Sequence, residues 1–148
     1  MMKTQRKHDD NVAEGIRPIQ RIRERFAGHR VLVTGATGFL AKALLEKLLR
    51  GVDTLDGIYL LIRPGADGLS PHERAERDIF RNRAFDRLRA SLGPRFQKLC
   101  DEKIHVVGGD LTREFLGLSP SEYESLTRRI TLVVNSAATV TFDERLDH

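Results

Sequence analysis

The sequence has little cysteine and no long hydrophobic run. Among its 148 residues the one cysteine is Cys100, so a disulfide within the chain is excluded and a reducing compartment is expected. The longest uninterrupted apolar stretches, such as residues 58–62, are far shorter than the roughly 20 residues that a membrane-spanning helix needs. The sequence therefore predicts a chain without a transmembrane segment.

The N-terminus is charged and has no apolar segment of the kind found in export signals, which predicts a cytoplasmic location. Residues 1–15 show no hydrophobic periodicity, and we expect them to be disordered. The 25 Lys and Arg residues outnumber the 21 Asp and Glu residues, but the two signs are interleaved, as on solvated helix faces. This pattern speaks against a nucleic-acid surface, whereas peripheral contact with a membrane stays open.

Four short apolar runs alternate with helical patterns along residues 16–148. We predict strands at residues 31–34, 58–62, 104–107 and 131–134. Strands that alternate with helices predict an α/β fold. We expect a Rossmann-type, doubly wound parallel sheet in the order 3-2-1-4, of which this chain holds the N-terminal part and stops after the fourth strand.

Two amphipathic helices flank the first strand in this interpretation. The first is a short helix that ends at Gly28 and carries an apolar stripe at Ile16, Ile19, Ile22 and Phe26. The second begins at Gly38 and ends at Gly51. Its expected buried face consists of Leu40, Ala43, Leu44 and Leu48.

A long helical insertion, at about residues 64–103, separates the second and third strands. It opens with a capping box, Ser70-Pro71-His72-Glu73, is interrupted at residues 81–83 and is stopped by Gly93-Pro94. A second capping box, Ser119-Pro120-Ser121-Glu122, predicts a helix before the fourth strand.

The first strand runs into the glycine turn Gly35-x-x-Gly38-x-x-Ala41. The first glycine permits the turn, the second lets the backbone approach a phosphate, and the third, small residue allows the helix to pack tightly against the strand. The amide groups at the start of the helix then face a pyrophosphate. The turn therefore predicts a dinucleotide-binding site.

Arg63 directly follows the second strand, where this architecture places the residue that senses the ribose. An arginine there pairs with the 2′-phosphate of NADP, whereas an acid would bond the 2′-hydroxyl of NAD. The nearest acids, Asp53 and Asp56, precede the strand. A solvated loop arginine is the alternative interpretation.

The third and fourth strands end in further candidate residues. Asp110 could accept a hydrogen bond from the adenine amino group, and the Leu111 amide could bond a ring nitrogen, with an Asx turn as the alternative. The small residues at 135–138 would let a flat cofactor lie against the sheet edge, although close packing alone could require the same alanines.

Four segments together resemble the extended short-chain dehydrogenase/reductase superfamily and, more narrowly, the N-terminal part of a fatty acyl-CoA reductase. They are TGATGFL at 34–40, LIRP at 61–64, GDL at 109–111 and NSAATVTFDE at 135–144. Ala41 stands where the family usually has a third glycine, and Asn135 stands where acyl-CoA reductases often have histidine.

The resemblance implies that NADPH delivers hydride to an acyl thioester such as acyl-CoA. It assigns the cofactor to Thr34, Gly35, Thr37, Gly38, Phe39, Leu40, Arg63, Asp110, Leu111, Asn135, Ser136, Ala137 and Ala138. The Tyr-x-x-x-Lys pair of such enzymes is missing, because Arg63 lies four positions after Tyr59 and Thr127 four after Tyr123. We therefore expect the front part of a longer reductase that is inactive alone.

Other functions stay open at this point. The parent could be a carrier-protein thioester reductase or a sugar-nucleotide epimerase or dehydratase, and the chain could also be a nucleotide-binding module without catalysis. The sequence predicts neither acyl chain length nor oligomeric state.

Overall fold

The computed structural model of the chain describes residues 18–138, with side chains from residue 22 onward. The predictions for residues 1–15, for Ile16 and for residues 139–148 lie outside this part. Six α-helices are described there: α1 (Pro18–Phe26), α2 (Phe39–Gly51), α3 (Pro71–Ala75), α4 (Asp86–Leu92), α5 (Arg95–Lys103) and α6 (Pro120–Arg129). The strands are β1 (Arg30–Thr34), β2 (Gly57–Ile62), β3 (Ile104–Gly108) and β4 (Leu132–Asn135).

The four strands form one parallel sheet in the order β3-β2-β1-β4. The predicted fold class and strand order are confirmed. Parallel pairing follows from the helical crossovers, which return the chain to the same end of the sheet after each strand. All four carboxyl ends therefore lie along one edge.

Residues of β1 and β2 alternate between two apolar layers, because successive side chains of a strand point to opposite faces. The larger layer lies against α2 and the insertion and includes Val31, Val33, Ile58, Leu60 and Ile62. The opposite, smaller layer groups Leu32, Tyr59, Leu61 and the α6 residue Leu126. Every residue of β2 is buried, as its continuous apolar sequence predicts.

The buried face of α2 differs from the prediction. Ala41, Leu45, Leu48 and Leu49 face the core, and Leu44 packs against them, whereas Ala43 is exposed and Leu40 is 70% exposed. Ala41 is 1% exposed and lies in the same core cluster as Val31 and Val33, as the glycine pattern predicts, so the difference concerns the rest of the face.

The insertion folds as a chain of short helices. A π-helical turn, Glu76–Phe80, continues α3, and a 3-10 turn, Arg83–Phe85, leads into α4, so the interruption near residues 81–83 is confirmed. Both predicted capping boxes are present. No helix within residues 18–138 is long and apolar enough to cross a membrane.

Candidate cofactor site

The glycine turn joins β1 to α2 at the carboxyl edge of the sheet. Gly35 has a φ of +62°, and a Cβ atom built on it would lie 2.6 Å from the backbone nitrogen of Ala137. Position 35 therefore requires glycine for two reasons: its backbone is left-handed, and the segment after β4 approaches it closely. The Gly38 amide donates to the Gly35 carbonyl at 2.9 Å, which closes the turn.

The amino end of α2 is open toward this edge. Gly38 is the capping residue, no side chain caps the helix, and no acidic residue lies in the first turn. Phe39 and Leu40 are 86% and 70% exposed. An uncapped end of a 13-residue helix presents backbone N–H donors and a partial positive charge, which suits an anion such as a pyrophosphate.

Hydrogen bonds lock the end of β4 onto β1. The buried hydroxyl of Thr34 donates to Asn135 Oδ1, which also accepts from the Ala137 amide at 3.3 Å. The Ser136 hydroxyl donates to the Thr34 carbonyl at 2.8 Å. Asn135 and Ser136 thus hold the segment that presses on Gly35. This role in orienting the turn was not visible in the sequence, which offers only small residues at this point.

The ends of β2 and β3 form the second half of the site, around an open cavity of about 900 Å³. Arg63 follows β2, and its Nη1 atom lies 4.0 Å from Asp110 Oδ2. Three further arginines, Arg74, Arg77 and Arg113, line the same cavity. The cavity is therefore cationic, although Arg77 is already paired with Asp67 and Asp78.

The Asp110 carboxylate forms an Asx turn and keeps one oxygen free of it. Oδ1 accepts from the backbone amide and the hydroxyl of Thr112, at 3.0 and 2.9 Å. The amide hydrogen bond, together with the hydroxyl and the Arg63 charge, lowers the pKa of Asp110, so the group is ionised at neutral pH. The turn and a cofactor contact are compatible, because the turn occupies Oδ1 and leaves Oδ2 toward Arg63.

The loop after Asp110 has an unusual backbone. Phe115, Leu116 and Gly117 all have positive φ values, of 51°, 59° and 71°. The Asp110 amide donates to the Leu116 carbonyl at 2.7 Å, and the Phe115 ring contacts Tyr123 at 5.3 Å between centroids. These contacts hold the loop against the base of the Asx turn. Leu111, at its start, is 44% exposed.

The two halves lie at the ends of neighbouring strands. Thr34 to Leu40 and residues 135–138 surround the β1–β4 end, while Arg63, Asp110 and Leu111 lie at the β2–β3 end. Adjacent strands are about 4.8 Å apart, so a dinucleotide whose pyrophosphate lies at α2 reaches the cavity with its adenosine. The residues at hand therefore fit a nicotinamide dinucleotide, and their individual contacts with it stay predictions.

Neither described tyrosine is placed for proton transfer. Tyr59 lies in the middle of β2, 9% exposed, with its ring 4.6 Å from that of His105. Tyr123 lies on α6 against Phe115. Within residues 18–138 no cluster of His, Cys, Asp and Glu could hold a metal ion. Neither of these tyrosines is followed four positions later by a lysine.

Residues 33–148 match the NAD-binding family model described as "Male sterility protein". The chain belongs to this family. A member of the male sterility protein family carries a nicotinamide-cofactor domain, which agrees with the fold and with the glycine turn. The residues matched include the end of β1, the glycine turn, the insertion and the segment after β4.

Named proteins with similar sequences are reductases. The chain is 42% identical over 125 residues to Fatty acyl-CoA reductase 1 of Homo sapiens, which covers 84% of the chain and 23% of that protein. It is 42% identical over 118 residues to the alcohol-forming fatty acyl-CoA reductase of Simmondsia chinensis, covering 79% and 24%. The chain thus spans about a quarter of the length of these relatives.

A similar solved structure is the reductase domain of a non-ribosomal peptide synthetase from Mycobacterium tuberculosis. It superposes with a TM-score of 0.55 at 34% identity, over 76% of this chain and 25% of that one. The likeness in fold and sequence includes the parallel sheet that positions the site.

Proposed function

We propose that this chain is the NADPH-binding part of a fatty acyl-CoA reductase, in which a long-chain acyl thioester is reduced to a fatty aldehyde or alcohol. The single observation that carries the cofactor choice is Arg63, which directly follows β2 and faces a cationic cavity beside Asp110. The similarity to fatty acyl-CoA reductases supports the substrate class. When bound, NADPH supplies the hydride.

The residues of this chain bind and orient the cofactor in this proposal. The amides at the start of α2 hold the pyrophosphate, Arg63 pairs with the 2′-phosphate, and Asp110 Oδ2 accepts from the adenine amino group. Residues 135–138 form the surface along which the cofactor lies. The proton donor for the reduced carbonyl, a Tyr-x-x-x-Lys pair, belongs to a part of the enzyme outside this chain, so the chain alone is inactive.

Cofactor preference tests the role of Arg63. In calorimetric titrations of the full-length protein, we expect NADPH to bind more tightly than NADH. Arg63→Ala removes a charge-assisted contact worth about 1.5–3 kcal/mol, so NADPH affinity should fall about 10-fold to 100-fold while NADH affinity changes little.

The control for that titration is Arg128→Ala. Arg128 is an exposed α6 residue paired with Glu124 at 2.6 Å, so its loss removes the same charge far from the cavity. If the unsubstituted protein binds NADPH and NADH equally tightly, the proposed role of Arg63 in recognising the 2′-phosphate is wrong.

A carrier-protein thioester reductase is the second candidate, because the similar solved structure is a reductase domain of a peptide synthetase. Oxidation of NADPH with an acyl-CoA and with the same acyl group on a carrier protein distinguishes the two. Turnover only with the carrier-bound thioester would favour the second candidate. A cytoplasmic location is part of the proposal, and cell fractionation tests it.

A further inference from the structure

Arg63 has few contacts that could hold its side chain in one direction. The side chain is 67% exposed, and its guanidinium lies 4.0 Å from its acidic neighbour, Asp110. A long, exposed side chain loses conformational entropy when it binds a ligand, and this cost is smaller when the backbone already points it correctly. The backbone at residue 63 therefore decides how well the guanidinium meets a phosphate.

That backbone is held from the insertion. Pairing between β2 and β3 stops after the Ile62 carbonyl, which accepts a hydrogen bond from the Gly109 amide at 3.1 Å. The next carbonyl, of Arg63 itself, accepts a hydrogen bond from Arg74 Nη1 at 2.8 Å. Arg74 thus holds the first carbonyl beyond the strand, as the hydrogen bonds of the sheet hold the carbonyls within it.

Arg74 is itself fixed in place. It lies on α3, whose start is held by the capping box of Ser70 and Glu73. Its Nε atom is 3.6 Å from Asp78 Oδ2, and its side chain is only 21% exposed. The arginine passes close to the loop after β2: a Cβ atom on Gly65 would lie 3.2 Å from Arg74 Cδ and 2.0 Å from Asp67 Oδ1.

We propose that Arg74 is a positioning residue that sets the cofactor preference through Arg63, by holding the Arg63 carbonyl, without touching the 2′-phosphate. The inference rests on the proposed function, in which Arg63 reads that phosphate. Two groups of the Arg74 guanidinium are already engaged, one with the Arg63 carbonyl and one with Asp78. The helical insertion thereby takes part in choosing the cofactor.

The test measures the dissociation constants of NADPH and NADH by calorimetry for variants of the full-length protein. Arg74→Ala should lower the preference for NADPH about tenfold and leave NADH binding nearly unchanged, because a misplaced Arg63 affects only the cofactor with the phosphate. Arg74→Lys keeps a donor for the carbonyl and should restore part of the preference. A general folding defect would instead weaken the binding of NADPH and of NADH by the same factor.

Arg81→Ala is the matched control, since Arg81 lies on the same insertion, pairs with Glu76 and does not line the cavity. Its cofactor preference should equal that of the unsubstituted protein. If Arg74→Ala does not fold, Asp78→Asn carries the test. It loosens Arg74 and also Arg77, so Asp67→Asn, which removes a partner of Arg77 and none of Arg74, is measured beside it: Asp78→Asn should lower the preference about threefold and Asp67→Asn should not. An unchanged preference in Asp78→Asn would overturn the inference.

A double variant separates positioning from direct contact. If Arg74 acts only through Arg63, then Arg63→Ala with Arg74→Ala has the same preference as Arg63→Ala alone. A further loss in the double variant would overturn the inference, because Arg74 would then touch the phosphate itself. If Arg63→Ala loses the preference for NADPH and Arg74→Ala keeps it, the inference about Arg74 is overturned and the proposed function stands. No preference for NADPH in the unsubstituted protein overturns the proposed function and the inference together.

Discussion

Replacement of Gly35 by alanine tests the contact on which the glycine turn depends. An added Cβ would lie 2.6 Å from the Ala137 nitrogen, 2.7 Å from the Ala137 Cα and 2.7 Å from the Ser136 carbonyl carbon. These are backbone atoms, so no flexible side chain can move aside. Either the segment after β4 shifts away from β1 or the turn changes its conformation.

The expected loss of stability has two parts. A left-handed alanine at a φ of +62° costs about 1–2 kcal/mol. Displacement of residues 136 and 137 weakens the Ser136–Thr34 and Ala137–Asn135 hydrogen bonds, which contribute about 0.5–1.5 kcal/mol each. The free energy of unfolding should therefore fall by about 2–5 kcal/mol, a large part of the roughly 5–15 kcal/mol typical of a protein.

Urea unfolding at one fixed protein concentration measures this loss, with Gly28→Ala and Gly51→Ala as controls. Gly28 has a φ of +69° and no atom within 4 Å of an added Cβ, so it reports the backbone cost alone. Gly51 has neither constraint and lies at the end of α2, where alanine should be neutral or slightly stabilising. If Gly35→Ala costs no more than Gly28→Ala, the close approach of Ser136 and Ala137 is refuted.

Two further predictions concern a helix cap and the buried thiol. Ser119→Ala removes the side chain that caps α6 and should lower the free energy of unfolding by about 1 kcal/mol, whereas Ser125→Ala on the same helix should change it little. Equal effects of the two changes in urea unfolding would contradict the cap. Burial raises the pKa of Cys100 to about 11, so maleimide at mildly alkaline pH should label the unfolded chain and spare the native one. Rapid labelling of the native chain would contradict that burial.

The sheet could be predicted from the sequence because each strand is marked locally. The continuous apolar run of β2 predicts burial on both faces, and every residue of β2 is buried. The strand order followed from the doubly wound dinucleotide-binding fold, which the glycine turn after β1 indicates and whose strands lie in the order 3-2-1-4. The two capping boxes could also be predicted, because each is formed by two residues three positions apart: Ser70 with Glu73, and Ser119 with Glu122.

Features that depend on contacts distant in the sequence could not be predicted in the same way. The apolar residues of α2 fit more than one buried face, and the sequence did not show that Leu45 and Leu49 are buried while Leu40 is exposed. The left-handed Phe115 and Leu116 have no local signal, because their conformation is held by the Asp110–Leu116 hydrogen bond and by Tyr123. Arg74 gave no signal either, since its bond to the Arg63 carbonyl spans the loop between them.

Small residues after β4 admitted two interpretations, a surface for a flat cofactor or close packing. The packing is observed directly, because Gly35 leaves no room for a Cβ beside Ala137. Both demands can act together: the backbone that presses on the turn is also the backbone along which a bound dinucleotide would lie. The binding conformation of the turn then requires β4 to be paired with β1 through Thr34 and Asn135, which are 101 positions apart. A ligand bound to that conformation stabilises the strand pair as well as the turn, by about 2.7 kcal/mol at a concentration of about 100 times its Kd.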